Sequence, residues 1–210
     1  MKTRERIIHV AREQFNRDGY GAVTTARMAE ACGIAEGNLW YHFKTKRDLL
    51  AAIAAEFVER IEARLAIRPI AADPLGSYCA MLEVLMREFR DYRFLYRDQP
   101  SYGEHVEPIA KRVSGWLRAT EESIGAHLAE LVNAGLLDRP RGELGGLATN
   151  ITIILRYGLE HQAELGETEG AVRKTLLQHL TLFEEWLDED AALNIRAAVE
   201  RIDMVTRKAA

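Results

Sequence analysis

The sequence predicts an all-α protein, and three observations carry that reading. Apolar residues recur at intervals of three and four along nearly the whole chain, with no sustained alternation of the kind a half-buried strand needs. The five prolines, at 69, 74, 100, 108 and 140, fall between the periodic segments rather than inside them. Threonine or aspartate precedes several of those segments and glycine follows them, the usual chemistry of helix starts and stops.

The elements follow in order. A first helix over 3–17 carries Ile8, Ala11 and Phe15 on one stripe and stops at Gly19. A second, short helix starts at Thr25 as N-cap, runs to Cys32 with Met28 and Ala31 inward, and ends at Gly33. A third begins near Ala35 with Leu39 and Phe43 inward at i, i+4. Thr45, with Asp48 three residues on, starts a long helix through Leu50, Ile53, Phe57 and Ile61 that runs over 46–68 and is closed by Pro69. Asp73-Pro74 opens the next, whose stripe is Leu75, Tyr78, Leu82, Leu85 and Phe89, extended by the aromatic run 92–96.

Residues 98–108 read as an irregular connection. A long helix over 109–134 then carries Val113, Trp116, Thr120, Ile124, His127 and Leu131, with Gly135 as its stop and a loop over 138–142. Two more long helices, 144–165 and 168–187, are separated by Gly166; their stripes are Leu147, Ile151, Ile154, Gly158 and Leu165, then Val172, Leu176, Leu180, Phe183 and Leu187. A last helix over 191–206 carries Ile195, Val199 and Ile202. No repeat of 20–50 residues is present.

With 48% hydrophobic and 29% charged residues, the 210-residue chain can bury a sizeable core, which excludes disordered and low-complexity classes. Cys32 and Cys79 alone make neither a disulfide framework nor a four-ligand zinc site, so a reducing, cytoplasmic location is expected and no metal or cofactor. No run of 18 apolar residues and no uninterrupted apolar centre in residues 1–17 point to a membrane span or an export signal. Gly-x-Ser-x-Gly, His-Glu-x-x-His, phosphate-loop and dinucleotide fingerprints are all missing, so the expectation is no enzyme. The net charge of −4 hides a split: residues 1–50 hold 9 Lys+Arg against 6 Asp+Glu, and the remainder is acidic. A basic head suggests an anionic partner.

The short helix, glycine turn and short helix over 25–43 have helix-turn-helix proportions, in which the first helix braces the second and the second enters a groove. With Leu39 and Phe43 inward, Glu36, Gly37, Asn38, Trp40, Tyr41 and His42 surround the outer side. Exposing Trp, Tyr and His together is costly in water and marks a contact surface. Lys44, Lys46 and Arg47 follow at once, where side-chain charge meets phosphate; a solvated basic turn is the plainer alternative.

Phe15, Gly19, Thr24-Thr25, Met28-Ala29, Gly33-Ile34 and the run from Leu39-Trp40-Tyr41-His42-Phe43-Lys44 through Thr45-Lys46-Arg47-Asp48-Leu49-Leu50 resemble the DNA-binding domain of TetR-family transcriptional regulators. The run Asp91-Tyr92-Arg93-Phe94-Leu95-Tyr96-Arg97-Asp98 resembles a group of such regulators with an aromatic-arginine stretch. The resemblance implies an all-helical homodimer on double-stranded operator DNA. A helix-turn-helix domain over 1–50 would be joined by the linker helix to a ligand-binding and dimerisation domain over 51–210. By position, Glu36, Gly37 and Trp40 would lie against base edges, and Thr25, Tyr41, His42 and Lys46 against phosphates, with Arg27, Asn38 and Lys44 beside them. Ala26 stands where some relatives carry a base-reading arginine, and Gly37 also departs from the pattern, so the operator does not transfer from a relative.

Glu36 has two readings: it stabilises a helix start through the dipole, or it meets a cytosine amino group. Met81, Met86, Tyr92, Phe94, Tyr96, Trp116 and Asn150 are the candidates for a small-molecule effector pocket, and each also suits a core. His127 and His161, near Glu130 and Glu160, suit polar packing or a shared ligand. Cys32 and Cys79 suit core packing, and arginines 90, 93 and 97 share one helix face. Ile151, Gly158, Leu176, Leu180, Phe183 and Trp186, on the helices over 144–187, are the candidate dimer interface. The expected function is a ligand-responsive repressor binding a palindrome as a homodimer; an activator or a ligand-binding module on the same scaffold is the alternative.

Overall fold

A computed structural model of the chain describes residues 2–98, 109 and 111–208, with side chains to residue 202. Among the described residues the regular structure is helical, apart from one isolated antiparallel bridge between Leu137 and Leu187. The helices are α1 (Thr3–Asp18), α2 (Thr25–Ala31), α3 (Glu36–His42), α4 (Lys46–Leu65), α5 (Pro74–Asp91), α6 (Arg93–Arg97), α7 (Val113–Asn133), α8 (Leu144–Glu164), α9 (Ala171–Leu180) and α10 (Glu189–Lys208). Most of the 98–108 connection lies outside the described residues. No described helix is long and apolar enough to cross a membrane.

The chain forms two compact units, and they do not follow chain order: Met1–Glu62 joins Glu88–Val113, and Ala63–Arg87 joins Ser114–Ala210. In the first unit Ile7, Ile8, Ala11 and Phe15 of α1 are buried together with Met28, Ala29, Leu39, Phe43, Leu49 and Leu50. Gly19, at φ 85°, ends α1, and Gly33, at φ 62°, turns the chain between α2 and α3. Both angles are ones that L side chains rarely adopt, so glycine is required there. Two details differ from the sequence expectation. The N-cap of α2 is Thr24, whose hydroxyl accepts from the Arg27 N–H at 3.3 Å, which leaves Thr25 inside the helix. Ala29 rather than Ala31 faces inward, because the buried side of the helix runs through Met28, Ala29 and Cys32, at i, i+1 and i+4, and Ala31 lies off it.

The aromatic run docks on the end of α1. Asn16 Nδ2 donates to the carbonyls of Arg90 and Asp91 at 3.3 and 2.9 Å, and its Oδ1 accepts from the Phe94 N–H at 2.9 Å. Arg97 donates to the carbonyls of Phe15 and Asn16, both at 3.0 Å, and Asp98 accepts from the Tyr20 N–H at 3.0 Å. The last carbonyls of a helix lack partners within it, so Arg97 satisfies Asn16 O and adds a second donor to Phe15 O, which already accepts from the Gly19 N–H at 3.0 Å. The Phe94 and Tyr20 rings close on Phe15 at 5.2 and 5.1 Å between centroids. Tyr92 is fully buried against Phe57 at 5.1 Å and lies between the Arg12 and Arg60 guanidiniums.

In the second unit α8 packs on α9, and α9 on α10. A Cβ on Gly158 would lie 2.3 Å from Thr175 Cγ2, so the close packing expected at Gly158 joins α8 to α9 within one chain. The Tyr78 hydroxyl donates to His179 Nε2 at 3.1 Å, in a pocket closed by Phe183. Helix α9 stops at Leu180, seven residues before the expected end at 187. The Thr181 hydroxyl donates to the Gln178 carbonyl at 2.7 Å, and tighter i to i+3 bonds such as Phe183 N–H to Leu180 O carry the chain onward. The Asp138 N–H then donates to Trp186 O, and the Asp188 N–H to Leu136 O, pinning the segment alongside 136–138. Because Phe183 stays buried through this turn, the apolar spacing does not register the break.

Candidate nucleic-acid interface

Helix α3 presents the surface that the sequence singles out. Leu39 and Phe43 are buried beneath it, with the Arg4 guanidinium over the Phe43 ring. On its outer side Glu36, Gly37 and Asn38 are exposed, and Tyr41 is 80% exposed, a large ring held in water at the end of a seven-residue helix. Trp40 and His42 are half-buried, which corrects the expectation that all three rings stand free. The Tyr41 and His42 rings meet edge to face at 5.3 Å, so the two are held as a pair.

The cations around this helix fall into two sorts. Lys44 and Arg47 are exposed at the junction with α4, whose first turn is capped by the Thr45 hydroxyl accepting from the Asp48 N–H at 3.0 Å. Lys46 is half-buried: its ammonium donates to the Tyr20 carbonyl and lies 4.3 Å from the centre of the Tyr20 ring, and burial lowers its pKa. Lys46 therefore braces the start of α4 against the turn after α1. Arg27, exposed on α2, is held 3.0 Å from Asp18, a carboxyl kept below its ordinary range chiefly by its hydrogen bond from Arg17. The Thr25 hydroxyl, also on α2, donates to Glu36 Oε1 on α3 at 2.7 Å.

The candidate effector residues are divided between the two units. Tyr92 and Phe94 are fully buried core of the first unit, and the Tyr96 hydroxyl there donates to Glu88 at 2.7 Å. Their apolar neighbours along α1 and α4 explain the placement: in this run the aromatic rings anchor it and Arg97 caps α1. Met81 and Met86 are buried in the second unit and Trp116 is half-buried. Asn150 is exposed rather than buried, since it lies on the outer side of α8 away from the Ile151 and Leu155 stripe. His127 and His161 differ in setting: His127 is fully buried, with Nδ1–H donating to the Ser123 carbonyl at 2.8 Å, while His161 is exposed. His127 Nε2 is buried with no hydrogen-bond partner, so of the two histidines singled out in the sequence His127 is the one that keeps an open polar atom inside the fold.

The candidate dimer residues are mostly interior. Ile151, Leu176, Leu180 and Phe183 are fully buried, Gly158 is covered by Thr175, and Trp186 lies under Arg139 at 3.3 Å. The same two helices expose a different apolar face. Ile153, Ile154, Tyr157, His161, Gln178 and Thr181 line an open groove of about 490 Å³, together with Gly158 from the candidate set, and Ile153 and Tyr157 are both more than half exposed. Both sides of α8 are apolar, so the spacing alone does not separate the face that packs on α9 from the face that remains outside. The i, i+4 pair Ile153 and Tyr157 was the legible signal for the outer one.

Comparison with known proteins bears on this geometry. The family profile described as "Bacterial regulatory proteins, tetR family" matches residues 7–53, and that described as "Bacterial transcriptional repressor" (TetR) matches residues 56–194. The HTH-type transcriptional regulator QacR of Staphylococcus aureus is 42% identical over 53 residues, 25% of this chain and 28% of that protein. The tetracycline repressor protein class C of Escherichia coli is 31% identical over 134 residues, 63% of this chain and 54% of the repressor. The matches thus span from about a quarter to about half the length of these relatives. A TetR-family transcriptional regulator from Marinobacter aquaeolei shares the fold, with a TM-score of 0.71 at 24% identity over 96% of this chain and 99% of that one.

Proposed function

Since the chain belongs to the TetR family of bacterial transcriptional regulators, we propose that it is a ligand-responsive repressor that binds a palindromic operator as a homodimer from the cytoplasm. Residues 1–50 form the DNA-binding domain in this reading, and 51–210 the effector and dimer domain. The observation that carries it is Tyr41, 80% exposed on the second helix of a helix-turn-helix and followed by the exposed cations Lys44 and Arg47. A tyrosine hydroxyl and two flanking cations suit phosphates on either side of a groove, while Glu36, Gly37 and Trp40 lie nearer the helix start, which meets base edges. Arg27, Asn38, His42 and Lys46 complete the contact set, and Thr25 joins it through Glu36, to which its one hydroxyl hydrogen is donated. Arg27 reaches phosphate by exchanging Asp18, and Lys46 by using the hydrogens not given to Tyr20.

The test is the salt dependence of binding to bulk duplex DNA. Each phosphate-neutralising cation adds about one unit to the slope of log K against log salt. Lys44→Ala is expected to shallow that slope by about one and to weaken all sequences alike. An unchanged slope removes Lys44 from the interface.

We place the dimer contact on the outer face of α8 and α9, supported by the exposed apolar pair Ile153 and Tyr157 and the groove beside them. Large apolar side chains left in water at adjacent helix positions favour a partner of matching shape, and a second copy offers the same patch. Ile153→Glu is expected to give a monomer by sedimentation, to keep the helical content, and to weaken operator binding by about 100-fold or more, the avidity that joining two heads supplies. A variant that stays dimeric places the contact elsewhere.

The effector belongs in the second unit in this reading. Met81, Met86 and Trp116 supply apolar surface, and the unpartnered Nε2 of buried His127 supplies a hydrogen-bond acceptor.

A further inference from the structure

We propose that Glu36 selects a cytosine in each operator half-site and that Thr25 is its positioning residue. The inference rests on the regulatory reading above and deepens it. The first observation is geometric: Glu36 is exposed on the first turn of the second helix of the pair, the part of such a helix that faces base edges. The second is that its carboxylate has a hydrogen-bond partner on α2. The Thr25 hydroxyl, from the neighbouring helix, donates to Oε1 at 2.7 Å and leaves Oε2 with its acceptor positions open. The third is that nothing lies within 4 Å of where a Cβ on Gly37 would be, so no side chain at the next position screens the carboxylate from an approaching groove.

The chemistry then restricts the partner. A carboxylate accepts hydrogen bonds and repels both phosphate and other acceptors. In the major groove the donors are the N4 amino group of cytosine and the N6 amino group of adenine, and adenine sets its N7 acceptor beside N6. A carboxylate on adenine therefore gains one bond and faces a lone pair, whereas on cytosine it meets the amino group without that neighbour. Glutamine, with a donor and an acceptor, is the side chain that suits adenine. The plainer role for the Thr25 and Glu36 pair is a brace between α2 and α3. A brace affects affinity for every duplex equally and carries no base preference.

The experiment selects duplexes from a random pool with the full-length protein, then measures binding to the selected operator with each half-site position varied through the four bases. The wild-type protein is expected to show one position per half-site where cytosine is favoured on the order of tenfold or more. Glu36→Gln moves the preference at that position to adenine, and Glu36→Ala abolishes it. Thr25→Val weakens the cytosine preference with no change in the salt slope. The inference is overturned if Glu36→Ala and Glu36→Gln select the wild-type consensus, whatever they do to overall affinity or melting temperature. A wild-type protein that enriches no sequence at all overturns the regulatory reading and this inference with it.

Discussion

Replacing Asn16 by alanine is expected to lower the stability of the folded chain by about 2–4 kcal/mol, read as a shift in the urea midpoint with an unchanged slope. The side chain makes three hydrogen bonds to backbone groups of residues 90, 91 and 94. Alanine leaves two carbonyls and one N–H of that part-buried segment without their partner, and each orphan costs more than an average hydrogen bond contributes. The effect extends beyond local stability, because the same segment supplies Arg97 to the last carbonyls of α1 and Asp98 to the Tyr20 N–H. Tyr20 in turn accepts from Lys46 at the start of α4. Asn16→Asp separates packing from hydrogen bonding: it keeps the acceptor for the Phe94 N–H but turns lone pairs toward the Arg90 and Asp91 carbonyls, so it is expected to be at least as damaging as alanine. If Asn16→Asp matches the wild-type protein, the amide is not what holds the aromatic run to α1.

Acidification is expected to weaken the fold through His179. The ring is fully buried, its Nδ1–H donates to the Leu176 carbonyl and its Nε2 accepts from the Tyr78 hydroxyl, so the folded state holds the neutral tautomer. Burial pushes its pKa down to about 4, from the ordinary 6.5. With the folded pKa below the unfolded one, the unfolded chain binds more protons between those values. Stability is therefore full above about pH 6.5, falls as the pH drops through that window, and levels off below about 4. The loss between pH 7 and pH 4.5 is about 2–3 kcal/mol from this group. His127, whose pKa burial also lowers, adds in the same direction. His179→Gln keeps an acceptor for Tyr78 and takes up no proton, so its stability is expected to change less over the same range by about 2 kcal/mol. Equal pH profiles for the two proteins would remove His179 as the cause.

The parts of this molecule that could be read from the sequence are those decided locally. Gly19 and Gly33 end their segments because few other residues take a positive φ, and Leu39 and Phe43 face inward because they stand at i, i+4 on one side of the short helix, while Trp40 and Tyr41 fan away from that side. Contacts distant in the chain were hidden. Asn16 looks like any polar residue on the outer side of α1, and its partners lie more than seventy residues away. Lys46 reads as a free cation because nothing near it in the sequence announces the Tyr20 carbonyl.

The second unit was ambiguous for another reason. An i, i+3, i+4 pattern separates inside from outside when one side of the helix is polar, and α8 is apolar on both. Ile151 and Leu155 are buried, while Ile153 and Tyr157 remain exposed. Which apolar stripe packs within the chain was settled by Gly158, whose missing side chain admits Thr175 of α9.

The account depends most on α3 being a helix that reads duplex sequence as one of a pair. The direct measurement is the ratio of affinities for the inverted repeat selected from a random pool and for a duplex of the same length and composition with scrambled order, at near-physiological salt. A ratio on the order of 1,000 or more is expected, and it falls toward one when Glu36 and Trp40, the side chains set against base edges, are both replaced by alanine. Equal affinity of the wild-type protein for the two duplexes would contradict the account.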